Sequence, residues 1–185
     1  MWRFSTLVLF IICLMLVRPG NAAQSNAPPL RAGDVFPQFS GRTLTGKFVT
    51  SPVTGMDKAA ALVFSFSRKA AHDARLWNEH LSEDFPNLIP VYGIVELESA
   101  PKLFRGMAVA GIKSTMPISV QNRTIVLYRD EKLWKGRLAV FDDSRAYVIL
   151  LASDGHIRWI NSGSFTETEY ARLKHDLLGT LQSHP

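Results

Sequence analysis

In the stretch FSFSRKAAHDARLW, Phe64 to Trp77, a serine and a histidine stand five residues apart behind the apolar run AALVF. Ser67 can act as a nucleophile only with an adjacent base to take its proton and with donors to hold an oxyanion. His72 is the candidate base. The G-x-S-x-G elbow that presents such a serine is absent, and a serine ahead of a helix more commonly satisfies a free backbone N–H. The same segment offers metal ligands, His72 and His80 with Asp73, Glu79 and Glu83. Two histidines on one helix share a metal when they are four apart, as in H-E-x-x-H. A separation of eight sets these rings two turns apart, so solvated surface residues are expected and no metal or catalytic residue is assigned.

The basic residues Arg68 and Lys69 follow Ser67 directly. A helix start exposes unpaired N–H groups and the positive end of the helix dipole, so basic neighbours there can hold an anion or an acidic peptide segment. Trp77, Trp134 and Trp159 are expected in the core or half-buried rather than as a ligand platform.

The elements that must position these residues follow from pattern. GDVFPQFSGRTLTGKF, with its Gly and Pro punctuation, predicts a short hairpin with Phe36, Phe39 and Leu44 inward. Ala60 to Phe66 predicts a buried strand, and residues 70–85 a helix closed by Pro86. LIPVYGIVEL, residues 88–97, is a second buried strand. A helix over 100–113 begins with Pro101 in its first turn, and Leu103, Phe104, Met107 and Ile112 form the apolar side assigned to the core. Thr124 to Tyr128 is a third strand, and Lys132 to Leu138 a helical turn. YVILLA and HIRWI flank Asp154-Gly155, a hairpin signal. Thr166 and Glu169 form a capping box opening a last helix, with Tyr170, Leu173, Leu177, Leu178 and Leu181 inward. Strand-helix-strand units imply parallel pairing, and the late hairpin adds antiparallel strands. An α/β domain follows, with a mixed central sheet and helices on both faces.

Composition sets the limits. The chain has 185 residues, 46% hydrophobic and 20% charged, which is ordinary for one globular domain. Met1 to Val17 joins one early cation, Arg3, to the apolar run TLVLFIICLMLV, and small residues follow at Gly20, Ala22 and Ala23. This pattern predicts a secretory signal peptide over 1–23, cleaved near Ala22 or Ala23, with residues 24–32 a flexible tether and 33–182 the domain. An uncleaved anchor is the rival, but the run is shorter than the ~20 residues that span a bilayer. A mitochondrial presequence would be amphipathic and Arg-rich, unlike this leader. The only cysteine, Cys13, lies within the apolar run behind Ile11 and Ile12, so no lipid anchor is expected. Cleavage leaves 19 basic against 16 acidic residues, a net charge of +3 and no single-sign field for nucleic acid.

The order of elements resembles the thioredoxin fold in its peroxiredoxin-like form. The residues that carry the resemblance are GDVFPQFSGRTLTGK, ALVFSFSRKAA and YVILLASDGHIRWINSG, so that it spans residues 33–181. It implies a thioredoxin-like three-layer α/β fold. Redox members carry a cysteine in the turn after the first central strand and a cis-proline facing it ahead of the late hairpin. The first turn here reads Ser67 to Ala71, and the proline position is Ala146, after Arg145. Copper-handling relatives use a cysteine pair with a histidine, and that pair is absent. Two subgroups with such losses are similar. FSFSRKAAHDARLW, RDEKLWKGRLAVFDDSRAYVILL and GHIRW resemble the mitochondrial ATP-synthase assembly chaperone family. The leader and the hairpin are similar to small periplasmic thioredoxin-like proteins. The resemblance implies that the first turn and Arg145 face each other, so that Ser67, Arg68, Lys69, Arg145 and Ala146 border one partner-binding recess.

The expectation is a periplasmic or secreted, non-catalytic, assembly-chaperone-like protein without cofactor, holding an acidic or extended segment of a membrane or envelope complex. The alternative is an enzyme using Ser67 and His72 or a metal. Thiol chemistry needs a thiolate. Protein lacking its leader is therefore expected neither to reduce insulin disulfides nor to consume peroxide. Thiol-dependent turnover in a contaminant-free preparation would overturn this.

Overall fold

A computed structural model describes residues 27–50, 58–86, 88–161 and 163–182, with side chains to 179. The leader, Cys13 and most of the loop 51–58 lie outside the described residues. Strands β1 (Ser40–Thr43) and β2 (Phe48–Thr50) form the first hairpin. Strand β3 (Ala60–Ser65), helix α1 (Ala70–Asp84) and strand β4 (Val91–Glu96) follow. A 3-10 turn (Lys102–Phe104) leads into α2 (Arg105–Ser114), then α3 (Ile118–Gln121), β5 (Thr124–Leu127) and α4 (Glu131–Arg137). Strands β6 (Tyr147–Leu151) and β7 (Ile157–Asn161) precede α5 (Glu167–Gln182).

These strands make one mixed sheet in the order β2-β1-β5-β4-β3-β6-β7. The pairs β3–β4 and β4–β5 are parallel, and β3–β6, β6–β7 and β1–β5 are antiparallel. Every residue of β3 and of β6 is buried, as expected for apolar strands covered on both faces. The β6–β7 hairpin turns at Asp154-Gly155, where Gly155 takes φ 84°, a backbone region that favours glycine. Thr166 caps the last helix by accepting a bond from the Glu169 N–H at 3.2 Å.

Two cores flank the sheet. On one face Phe36, Phe39, Phe64 and Trp134 pack as an aromatic cluster. Phe36 stacks on Trp134 at 5.7 Å, and Phe39 meets the same ring edge-on at 5.7 Å. On the other face α1 and α5 bring Trp77, Leu81, Tyr170, Leu173 and Leu177 together. Phe165 lies 5.1 Å from Trp77, and Trp159 lies 6.0 Å from it. Trp77 and Trp134 are thus core residues, and Trp159 is half-buried against Trp77.

Three expectations shift. Leu30 is buried, and its N–H donates to the Arg137 carbonyl at 2.7 Å, so the packed unit takes in chain assigned to the tether. Leu178 is exposed, because the inward stripe of α5 runs through Tyr170, Leu173 and Leu177, and Leu181 lies outside the residues whose side chains are described. Leu103, Phe104 and Met107 also face outward, and neither core draws on α2. The cause lies at Arg105. Its guanidinium turns back to the carbonyls of Ala100 and Glu98 at 2.9 and 2.7 Å and sits 5.5 Å from the Tyr128 ring. That fixes the roll of the helix with Arg105 inward, so the residues two places to either side point away.

One acid is deeply placed. Glu96, 3% exposed at the end of β4, accepts a bond from the Glu98 N–H at 2.8 Å through Oε1, while Oε2 is buried without a partner. Burial raises its pKa from 4.5 to about 7, the Glu98 N–H opposes this, and the nearby Glu131 and Glu98 charges add to it. The native state therefore keeps a proton that the unfolded chain has lost. Stability from this group is full below pH 4.5 and declines as the pH rises to about 7. In Glu96→Gln the decline over this range should disappear. The variant should be more stable at pH 8 by about 1–2 kcal/mol, since solvent screening at the strand end holds the gain below the full linkage value. Denaturant melts across this pH range test it, and a wild-type slope retained in the variant would show that another group is responsible.

Candidate functional site

The turn from β3 into α1 and the loop 142–146 ahead of β6 lie against each other. The Ser67 hydroxyl donates to the Asp143 carbonyl at 2.6 Å and accepts from the Ala70 N–H at 3.3 Å. Both hydroxyl functions are therefore engaged in joining the turn to the loop and in closing the first turn of α1. His72 is exposed, with Nδ1 3.4 Å from the Arg75 guanidinium. His80 bonds the Leu76 carbonyl through Nδ1 at 2.9 Å, and its ring packs 4.5 Å from Phe165. The two histidines thus serve separate local contacts, and no group of three His, Cys, Asp or Glu suited to a metal occurs among the described residues.

Asp73 has a role that its place in the sequence does not announce. Oδ2 accepts from the Ala146 N–H at 2.9 Å, and Oδ1 accepts from the Phe165 N–H at 2.6 Å. Ala146 is fully buried. Proline, which has no N–H, could not make the first of these bonds. The alanine at 146 and the carboxylate one turn into α1 are therefore coupled, and together they hold the edge of β6 to the body of the protein.

Of the expected recess residues, Ser67 and Ala146 are joined to this framework, while Arg68 and Lys69 project into solvent. Arg145 is not a free donor fork. Its Nε donates to Asp142 Oδ2 at 2.9 Å, and its guanidinium lies 5.5 Å from the Phe141 ring. Asp142 also accepts from the Ser144 hydroxyl at 2.6 Å and the Ser144 N–H at 2.9 Å. These bonds, with Arg145, hold the Asp142 carboxyl below the usual carboxylate range. The loop is further wrapped on Tyr147, whose hydroxyl donates to the Asp142 carbonyl at 3.0 Å.

Below this loop Lys135 Nζ lies 2.8 Å from Glu131 and 3.5 Å from Asp143 Oδ2. Its bond to Glu131 raises the lysine pKa. Burial opposes the charge on Glu131, but its bonds from Lys135 and the Ser99 N–H outweigh that and lower its pKa. The recess thus sets Arg68, Lys69, Lys135 and Arg145 against Asp73, Glu131, Asp142 and Asp143. Its charge is balanced rather than anion-attracting. The adjacent pair Asp142-Asp143, directly ahead of Ser144-Arg145, was the sequence signal that could have revealed this counterweight. Nothing local marked Asp73, whose partners lie 73 and 92 residues away.

The sheet order, the β3-turn-α1 site and the late hairpin define a thioredoxin-like protein. The fold is similar to the thioredoxin domain of a thiol-disulfide oxidoreductase from Bacteroides vulgatus, with 18% identity, TM-score 0.56, and 80% of this chain and 99% of that one covered. A peroxiredoxin-like protein from Aquifex aeolicus is similar at 11% identity and TM-score 0.52, with 82% and 90% covered. StoA from Bacillus subtilis has 11% identity and TM-score 0.52, with 75% and 96% covered. No curated protein is a significant match. The family described as ATP10 protein matches residues 30–177, and the chain belongs to that family.

The Asp73 clamp makes a graded prediction. Asp73→Asn keeps one carbonyl acceptor and should cost about 1–2 kcal/mol, whereas Asp73→Ala strands both N–H groups and should cost about 2–4 kcal/mol. Because Ala146→Pro removes the same bond, its cost and that of Asp73→Ala should be less than additive in denaturant unfolding. Strict additivity would show that the two residues are not coupled.

Proposed function

We infer that this member of the ATP10 protein family is a non-catalytic assembly factor that uses the face at Ser67, Arg68, Lys69, Arg145 and Ala146 to hold a protein segment of a membrane or envelope complex. The observation that carries the reading is that internal bonds occupy both positions at which the resemblance places the redox groups. The Ser67 hydroxyl is bonded to Asp143 and Ala70, and the Ala146 N–H to Asp73. A surface built this way offers shape and backbone rather than a nucleophile. The balanced charge of the recess favours an extended segment of low net charge over a strongly acidic one, with Arg68 and Lys69 available to its carboxylates. The resemblance of RDEKLWKGRLAVFDDSRAYVILL to the ATP-synthase assembly chaperones makes an ATP synthase the first complex to examine. The leader supports export with cleavage near Ala22 or Ala23, placing the domain on the outer side of a membrane.

Complementation tests the reading. Loss of the chain should lower the amount of assembled complex in native gels several-fold, and the full chain should restore it. Ser67→Ala and His72→Ala should restore it equally. Arg68→Ala with Arg145→Ala should fall short while melting close to wild type, because exposed charge pairs contribute only ~0–1 kcal/mol. Assembly unaffected by loss of the chain would defeat the proposal. A folded Ser67→Ala or His72→Ala variant that fails would favour an enzyme instead.

A further inference from the structure

The segment between β4 and β5 carries an apolar surface that the site above does not use. No residue from 97 to 123 is buried. Arg105 fixes the roll of α2, and Arg105, Ala108, Val109 and Ile112 form its half-buried side. The opposite side presents Leu103, Phe104, Gly106, Met107, Ala110, Gly111 and Ser114. Leu103 is 84% exposed, Met107 71% and Phe104 52%, and Ile118 in the next helix is 65% exposed. A solvent-facing helix side ordinarily carries charged and polar residues. This one carries no charged residue and one polar residue, Ser114, whose hydroxyl bonds back to the Gly111 carbonyl, and contiguous exposed apolar surface of that kind marks an interaction site.

The charges around it have one sign. From Ala100 to Arg129 there is no aspartate or glutamate, while Lys102, Arg105, Lys113, Arg123 and Arg129 are all cationic. At the root of the segment Glu98 and Glu131 are tied into the turn. Glu98 accepts from the Glu131 N–H at 2.7 Å, and Glu131 accepts from the Ser99 N–H at 2.9 Å. Apolar side chains on one face with only cations beside them match the chemistry of an anionic bilayer surface, where the apolar groups enter the acyl boundary and the bases meet lipid phosphates. A second copy of the chain would oppose cations to cations. With ten residues α2 is far too short to cross a bilayer.

We propose that the outward face of the 102–114 segment, with Leu103, Phe104 and Met107 at its centre and Lys102 and Lys113 at its ends, rests on an anionic lipid surface. The face shares no residue with the Ser67–Ala146 recess, so lipid contact and segment binding would use different side chains of one domain.

The test uses the full chain with Cys13→Ser and Met107→Cys labelled with an environment-sensitive fluorophore, so that the single label sits on the proposed face and none on the leader. Vesicles of phosphatidylcholine containing one-third phosphatidylglycerol should brighten and blue-shift the probe several-fold. Pure phosphatidylcholine should not, and raised salt should reverse the change. The same label at Val35→Cys, an exposed apolar position outside the segment, should stay silent. Leu103→Ser with Phe104→Ser should weaken vesicle partition about tenfold or more without shifting the melt. Three results would overturn the proposal: no response at residue 107, an equal response to neutral vesicles, or a response that grows with protein concentration in the absence of lipid. A response only to solubilised envelope proteins would also overturn it in favour of a protein partner.

Discussion

Two backbone N–H groups, from Ala146 at the entry to β6 and from Phe165 at the entry to α5, end on the single carboxylate of Asp73. The helix that carries Asp73 also carries Trp77 and Leu81, the side chains that fill the core beneath α5. The carboxylate therefore sets the relative position of three elements that meet nowhere in sequence, and the packing of Trp77 against Phe165 and Tyr170 follows from it. The Ser67–Asp143 bond adds a second tie between the same turn and loop. The two halves of the recess are consequently in register before anything binds, which lowers the ordering cost that a partner would otherwise meet.

What the sequence made legible was whatever rests on local pattern. The apolar runs of β3 and β6, the Asp154-Gly155 hairpin and the Thr166 cap were all readable, since each depends on near neighbours. The orientation of α2 was not. Periodicity shows that Leu103 and Met107 share a side with one another, but it does not say whether that side meets the sheet. The deciding contact, Arg105 on two carbonyls and the Tyr128 ring, is a tertiary one. Asp73 was hidden for the same reason. Scanned among its neighbours it resembles a surface ligand, and only its distant N–H partners reveal its structural role. Glu96 sat unremarked in LIPVYGIVEL, because nothing short of the packing indicates which end of an apolar strand stays dry.

The recess is a tied corner of the sheet. The parallel core β3-β4-β5 and the antiparallel late hairpin flank a turn that is bonded to the loop ahead of β6. Basic residues remain there, but Asp142 and Asp143 accompany them, so the long-range field is small. Recognition at such a surface depends on contact geometry and not on steering from a distance.

The use of the Ala146 N–H limits what this corner tolerates. A proline at 146 alone leaves Asp73 Oδ2 without its donor, and an apolar residue at 73 alone leaves the Ala146 and Phe165 N–H groups without their acceptor. Each single change is therefore a loss of stability, and positions 73 and 146 are free to vary only as a pair.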